Sequence, residues 1–302
     1  MHLQDRERIT ACYISRARQR QRCAPTNAGP GCLAHYHTGM RIRVADTMLY
    51  CECTGEGPPV LFVHGFPISG EMWRPAVERL GPRWRCIVPD LRGHGRSDVS
   101  ESVTIAQFAE DLAALLDALD ERRPVVLAGL SMGGIIAFEF FRRHRARLRA
   151  LVLCDTRANA ETPEGVARRE GVAQTALCEG ARAVVDQMLP DVFAPAFPAE
   201  RRKHWGDVMS GTPAQGVAAA ARALGQRRES FTTLPRIDCP TLVVAGDEDK
   251  ITPPDTLREI HAAIPGARLA VIPGAGHVPP VETPDEFVSV LRGFLDEVAP
   301  SD

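Results

Sequence analysis

From Met40 onward, short apolar runs alternate with stretches whose apolar residues recur at helical spacing. Arg41–Ala45 and Met48–Cys53 read as two strands joined by a turn at Asp46-Thr47. Pro59–His64, Trp84–Pro89, Pro124–Gly129, Leu148–Cys154, Thr241–Gly246 and Arg268–Ile272 are further apolar runs of strand length. Runs that are apolar throughout, rather than alternating, suit a parallel sheet covered on both faces. Between them, Thr104–Asp120 places Ile105, Phe108, Leu112, Leu115, Leu116 and Leu119 on one stripe of a helix, with Thr104 as N-cap. Met132–His144, Pro253–Ile264 and Thr283–Val298 follow the same pattern. Thr283-Pro284-Asp285-Glu286 supplies a capping residue, a proline at the first helical position and acids in the first turn. The alternation predicts an α/β fold, with a mostly parallel central sheet flanked by helices and joined by right-handed crossovers.

One segment breaks the rhythm. Residues 155–234 contain no strand pattern, only the helix-forming stretches Glu164–Glu179, Ala181–Met188, Ala199–Met209 and Thr212–Gln226. About eighty residues of helix between two sheet strands predict a lid, inserted after the sixth strand and packed over the C-terminal edge of the sheet. The core is then 40–154 with 235–302, and the lid 155–234. Residues 1–39 are basic between Arg16 and Arg22, rich in Gly and Pro from Cys23 to Leu33, and without apolar periodicity. They are expected to form a poorly ordered extension.

Composition narrows the class. The chain has 302 residues, 44% hydrophobic and 25% charged, with a formal net charge of −2. That balance gives no electrostatic footprint for nucleic acid or an anionic membrane surface. No apolar run approaches the roughly 20 residues a membrane span needs. Nine cysteines, odd in number and scattered, do not form a disulfide framework, and Cys51-Glu-Cys53 lacks a second ligand pair for zinc. Several, such as Cys86, Cys154 and Cys239, sit in apolar runs as small hydrophobes. A reducing cytoplasmic setting is expected.

The candidate chemistry lies at strand ends. Gly129-Leu130-Ser131-Met132-Gly133 follows the apolar run Val125–Ala128 and opens a helix, the context of a nucleophile elbow. Such a turn lifts the Ser131 hydroxyl off the sheet and points a helix N-terminus at it. A serine needs a base. His277, in Pro273-Gly-Ala-Gly-His277 past the last strand, is the candidate. By contrast His64 and His94 read as loop-fixing, and His144, His204 and His261 lie in polar helices. The acid that orients the imidazole belongs between them in chain order. Asp249 fits that place; Asp155, directly after Leu148–Cys154, is the alternative, and Asp247 reads as a turn-capping residue. An oxyanion hole would use the backbone N–H of Met132 and, from His64-Gly65-Phe66-Pro67, that of Phe66.

Five motifs in one order carry a resemblance: His64-Gly-Phe-Pro67, Asp90-Leu-Arg-Gly-His-Gly-Arg-Ser-Asp98, Gly129-Leu-Ser-Met-Gly-Gly134, Gly246-Asp-Glu-Asp249 and Gly276-His277. Together they resemble the α/β-hydrolase superfamily over nearly all of 40–298, within it the small lid-bearing esterases, enol-lactonases and cofactor-free haloperoxidases. The resemblance implies that the Asp90–Asp98 loop is architectural. Leu151-Val-Leu-Cys-Asp-Thr156 and Gly246-Asp-Glu-Asp-Lys-Ile-Thr-Pro-Pro254 look most like 3-oxoadipate enol-lactonases and carboxylesterases. Serine at 131 argues against haloalkane dehalogenases, which carry aspartate there, and whose acid often follows the strand matching Leu148–Cys154.

The expectation is therefore a carboxylic-ester hydrolase with a Ser131–His277–Asp249 triad, no cofactor and no metal, acting on small, fairly apolar esters. Met188, Phe193, Phe197 and Trp205, with Leu189 and Met209, are candidate pocket walls. Arg168-Arg169 and Arg201–Lys203 read as solvated helix faces, which weighs against a di-anionic substrate. Lactone hydrolysis, C–C bond hydrolysis and perhydrolysis use the same triad, and a small-molecule receptor of the same fold is the rival outside enzymology. The sequence leaves the oligomeric state open.

Overall fold

The computed structural model describes residues 38–299. Of the expected N-terminal extension, Thr38 and Gly39 begin the first strand, and the remainder lies outside the described residues. Eight strands form one sheet: β1 (Thr38–Val44), β2 (Thr47–Thr54), β3 (Pro59–Val63), β4 (Arg85–Pro89), β5 (Val125–Leu130), β6 (Leu148–Cys154), β7 (Thr241–Gly246) and β8 (Arg268–Ile272). Their order is β1-β2-β4-β3-β5-β6-β7-β8. β1–β2 and β2–β4 pair antiparallel, and every other neighbouring pair is parallel.

β3, β5 and β7 are buried along their whole length, as continuous apolar runs require. Their side chains alternate between two cores, one on each face. Leu61, Val63, Leu127 and Val243 pack on one side with α2 (Ile105–Ala118), α3 (Met132–His144) and α8 (Pro254–Ala263). Val60, Phe62, Val126, Leu242 and Val244 pack on the other with α1 (Arg74–Leu80) and α10 (Pro284–Val298). Cys86, Cys154 and Cys239 are buried among these residues.

Most element limits fall within a residue or two of the sequence expectation. Thr104 caps α2, its side chain accepting from the Gln107 amide at 3.0 Å. Thr283 behaves differently from its motif. The short helix α9 (Pro279–Glu282) runs directly into α10, and Thr283 takes ψ 62° instead of an extended value. Its hydroxyl is carried off the first-turn amides and caps nothing. Helix α1, only seven residues long, is too short to show a period in the sequence.

The insertion after β6 consists of α4 (Pro163–Glu179), α5 (Ala181–Val192), α6 (Ala199–Ser210) and α7 (Ala214–Gly225). Ala173, Ala176, Ala181, Val184, Val217, Ala218 and Ala221 form its own small core. It docks on the Asp90–Asp98 loop through backbone: a Cβ on Gly216 would lie 1.8 Å from the Gly93 carbonyl oxygen. Only glycine permits that approach. No helix among the described residues is long and apolar enough to cross a membrane.

Two buried histidines brace the loops after β3 and β4. His64 Nε2 accepts from the Leu91 amide at 2.9 Å while Nδ1 sits 2.8 Å from the Gly65 carbonyl, so the neutral ring satisfies both. His94 lies 5.0 Å from it, ring to ring, with Nδ1 3.1 Å from the Arg92 carbonyl. Burial pulls His64 down to about 4; burial, then the nearby His64, pulls His94 to about 3. Both folded values lie below the unfolded value near 6.5, so above it neither state is protonated and the shift costs nothing. As pH falls below 6.5 only the unfolded chain takes up the proton, and folding loses up to about 1.4 kcal/mol per pH unit per ring. His94→Gln lacks this loss. The stability advantage of the wild type over His94→Gln, measured by urea unfolding, is expected to narrow between pH 6.5 and 4.5; an advantage independent of pH contradicts the assignment.

Candidate active site

The C-terminal ends of β3, β5, β6, β7 and β8 face one region, where an open parallel sheet usually binds its ligand. Ser131 follows β5 and precedes α3, with φ 55° and ψ −112°, a backbone state that residues with side chains rarely adopt. Four hydrogen bonds hold it there. Its amide donates to the Cys154 carbonyl at 2.9 Å, and its carbonyl accepts from Thr156 Oγ1 at 2.7 Å and from the Gly134 and Ile135 amides. Among the described residues, no carbonyl or side chain accepts from the Met132 or Phe66 amide. A Cβ on Gly65 would come 3.3 Å from Ser131 Cβ, so the turn bearing Phe66 passes directly over the serine.

His277 lies in the loop after β8 and Asp249 in the loop after β7. His277 Nδ1 is 2.8 Å from Asp249 Oδ2, and both side chains are buried. Asp249 Oδ1 accepts from the Ile251 and Thr252 amides, and Oδ2 also accepts from Thr252 Oγ1. Burial alone would raise this carboxyl, but the charge and hydrogen bond of His277, with Thr252, outweigh it and hold it below its ordinary value. An ionised Asp249 fixes the tautomer with the proton on Nδ1 and leaves the Nε2 lone pair for the cavity.

Asp155, the alternative acid, does something else. Its Oδ1 accepts from the Gly246 amide at 2.8 Å, and no hydrogen bond joins it to His277. Fully buried, and beside the negative Asp249, it is raised far above the usual carboxylate value. It braces β6 against β7. Asp247 accepts from the Gly274 amide at 2.7 Å, the turn-capping role its position suggests.

Ser131 and His277 line one small cavity with Phe66, Ile135, Thr156, Met188, Leu224, Ile251 and Thr252. Its interior leaves about 50 Å³ of water-sized space, on a measure by which one water needs roughly 10–15 Å³. Met188 is the one expected wall residue that lines it. Phe193, Phe197 and Trp205 pack in the core instead, Phe193 stacked on Phe197 with centroids 4.6 Å apart. Leu189 and Met209 join the same core. Three arginines complete the lining: Arg157, Arg169 and Arg227. This corrects the reading of Arg168-Arg169 as a solvated face: Arg168 is exposed, but Arg169 turns inward. Among the described residues, no three His, Cys, Asp or Glu side chains gather as a metal site.

Glu282 had no signal in the sequence beyond being an acid five residues past His277. Its buried carboxylate accepts from the Ala194 amide in the lid at 2.7 Å and from the Gly276 and Val278 amides at 2.9 Å each. The His277 amide itself donates to the Val192 carbonyl at 2.9 Å. Lid and histidine loop are thereby stitched together.

The alpha/beta hydrolase fold family matches residues 58–284. The 3-oxoadipate enol-lactonase 1 of Acinetobacter baylyi is 30% identical over 242 residues, covering 80% of this chain and 90% of that protein. A thermophilic esterase from Thermogutta terrifontis, solved with malate bound, superposes with a TM-score of 0.84 at 38% identity, over 87% of this chain and all of its own. The enol-lactonase from Burkholderia xenovorans gives 0.77 at 31% identity, over 84% and 98%.

Removing the Glu282 carboxylate strands three buried amides, each worth roughly 1–3 kcal/mol when unsatisfied. Glu282→Ala is expected to lower unfolding free energy by about 2–4 kcal/mol, allowing for partial rescue by water. Urea titration checks this, and a change below about 0.5 kcal/mol removes Glu282 as the tie.

Proposed function

The chain belongs to the α/β-hydrolase fold family, and from that premise we propose that it is a carboxylic-ester hydrolase acting through an acyl-enzyme on Ser131. The observation that carries this reading is the Asp249–His277 pair, 2.8 Å apart, opening into the same cavity as the strained Ser131. In the proposed cycle Ser131 Oγ attacks the ester carbonyl as His277 Nε2 takes its proton, and ionised Asp249 stabilises the imidazolium. The oxyanion is received by the Met132 and Phe66 amides, the first at the N-terminus of α3, where the helix dipole adds to the attraction. His277 then gives its proton to the departing alcohol. Water, deprotonated by the same imidazole, releases the acid. Each step uses side chains and amides of the chain itself.

The small cavity favours short acyl and alcohol groups over fatty ones. Lactone opening is a second reading, supported by the two enol-lactonases among the relatives. A lactone is an internal ester, so the chemistry is unchanged and the product is a single hydroxy acid.

Initial rates on p-nitrophenyl esters from acetate to decanoate provide the test. Turnover is expected to peak at short chains and to fall at least about a thousandfold in Ser131→Ala. Asp249→Asn is expected to cost about 10²–10⁴ in kcat, because it favours the wrong imidazole tautomer. Near-normal turnover by Ser131→Ala refutes the assignment, and turnover below about one per minute on every ester and lactone favours a receptor.

A further inference from the structure

Arg227, in the segment following α7, is buried, yet it lines the cavity that holds Ser131 and His277. Its Nε donates to the Asn159 carbonyl at 2.8 Å, and its Nη1 to Glu161 at 2.5 Å and to the Leu224 carbonyl at 3.2 Å. Its Nη2 is buried with no partner at all. Arg169, on α4, reaches the same Glu161 at 3.3 Å through Nε, and its guanidinium sits 6.0 Å from the Phe66 ring centroid. Arg157, in the loop after β6, donates to the Ile251 carbonyl.

Two of these guanidinium groups, those of Arg227 and Arg169, therefore share one carboxylate, Glu161, and Arg157 forms no ion pair among the described residues. An arginine does not escape burial by losing its proton under ordinary conditions, so the excess positive charge persists. Uncompensated buried charge costs stability. Burial draws Arg157 and Arg169 below the ordinary arginine value, and the charge of Arg227 pushes both further down. A fold that needed only to join the two ends of the insertion would be served by the Arg227–Glu161 pair. Arg169 shares that one carboxylate at the longer distance of 3.3 Å, Arg157 forms no ion pair among the described residues, and both line the cavity beside the unpartnered Arg227 Nη2.

We infer that this cavity accepts an ester bearing a second, ionised carboxylate, which Arg227 Nη2 and the guanidinium groups of Arg169 and Arg157 receive while Ser131 attacks the ester carbonyl. The inference rests on the ester-hydrolase reading for the bond broken, but the anion site stands on the arginines alone. A carboxylate accepts planar, paired N–H donors, which is the geometry a guanidinium fork presents. Its two charged oxygens would fill the Nη2 donor left empty and offset the surplus cations. The smallness of the cavity limits the spacer to a few carbons, so the class is short dicarboxylic monoesters or short acyl esters of hydroxy acids. Water adds across the ester; the products are the acid and the alcohol, and one proton is released at neutral pH. A neutral isostere leaves the guanidinium donors unpaired and is discriminated against for that reason.

The test compares monoethyl succinate, monoethyl glutarate and 3-acetoxypropanoate, each against its neutral primary-amide counterpart, by proton release at constant pH. The wild type is expected to favour the carboxylate at least tenfold in kcat/KM. Arg169→Gln and Arg157→Gln are expected to cut that ratio at least tenfold; neither carries the structural ties of Arg227, whose own variant is at risk of misfolding. Glutarate and glutaramide are titrated in parallel, with binding read by calorimetry. Serine-dependent hydrolysis of p-nitrophenyl esters, with carboxylate and amide substrates within twofold of each other, overturns the inference and leaves the esterase standing. Glutarate binding that is lost in Arg169→Gln, without hydrolysis of any ester, keeps the anion site and removes the esterase. Failure of both hydrolysis and binding removes both.

Discussion

Three backbone segments meet at Ser131 more closely than any side chain would allow, and the rest of the site is arranged around that contact. A Cβ on Gly129 would lie 2.4 Å from the Gly133 carbonyl carbon, and one on Gly133 2.2 Å from the Val63 carbonyl oxygen. The end of β3, the end of β5 and the start of α3 are thereby pinned to one another. The positive φ of Ser131 costs of order 1–3 kcal/mol. It persists because the Cys154 carbonyl, Thr156 and the first turn of α3 hold every backbone group of the residue. The same contact puts the Phe66 turn above the serine. The proposed nucleophile and oxyanion donors are thus consequences of one packing constraint rather than separate features.

The imidazole depends on a second constraint, and this one runs through the lid. Glu282 gathers amides from both the lid and the His277 loop, and the lid's Val192 carbonyl takes the His277 amide. Arg201 extends the seam to the Val281 carbonyl, while Arg202 fixes the Ala194 carbonyl within the lid. The lid is accordingly part of what positions the His277 loop. Thr212 and the Gly216–Gly93 contact fasten the other end of the insertion to the loops after β3 and β4. A cover hinged freely over a finished site would not be tied at both ends to the loops that surround it.

The sheet and its helices were legible because they depend on features that repeat. Continuous apolar runs marked the strands buried on both faces, and three- and four-residue spacing marked α2, α3, α8 and α10. The placement of Ser131, His277 and Asp249 was legible for a related reason: each lies at a strand end that those runs locate. What escaped has no period. Glu282 is one acid on a four-residue helix, and its role exists only because three amides converge on it in space. Thr283 misled because its capping sequence presumes an extended backbone that α9 does not allow. Phe193, Phe197 and Trp205 had the right chemistry for a pocket wall, yet the same apolar surface is satisfied equally well by the core.

The arginines show the same limit in its sharpest form. Arg168 and Arg169 are adjacent and chemically identical, as are Arg227 and Arg228, yet in each pair one is exposed and the other lines the cavity. On α4 the direction of a side chain changes by about 100° per residue, and past the end of α7 the chain is irregular, so in neither place does identity say which of two neighbours turns inward. Hydropathy patterning biases such positions toward solvent, because a charged residue is usually outside. A charge is retained inside when something offsets it, and here the single carboxylate of Glu161 pairs with two of the three arginines, Arg169 and Arg227. In the proposed reading, the rest of the compensating charge comes from a ligand that comes and goes, in the cavity that Ser131 and His277 also line.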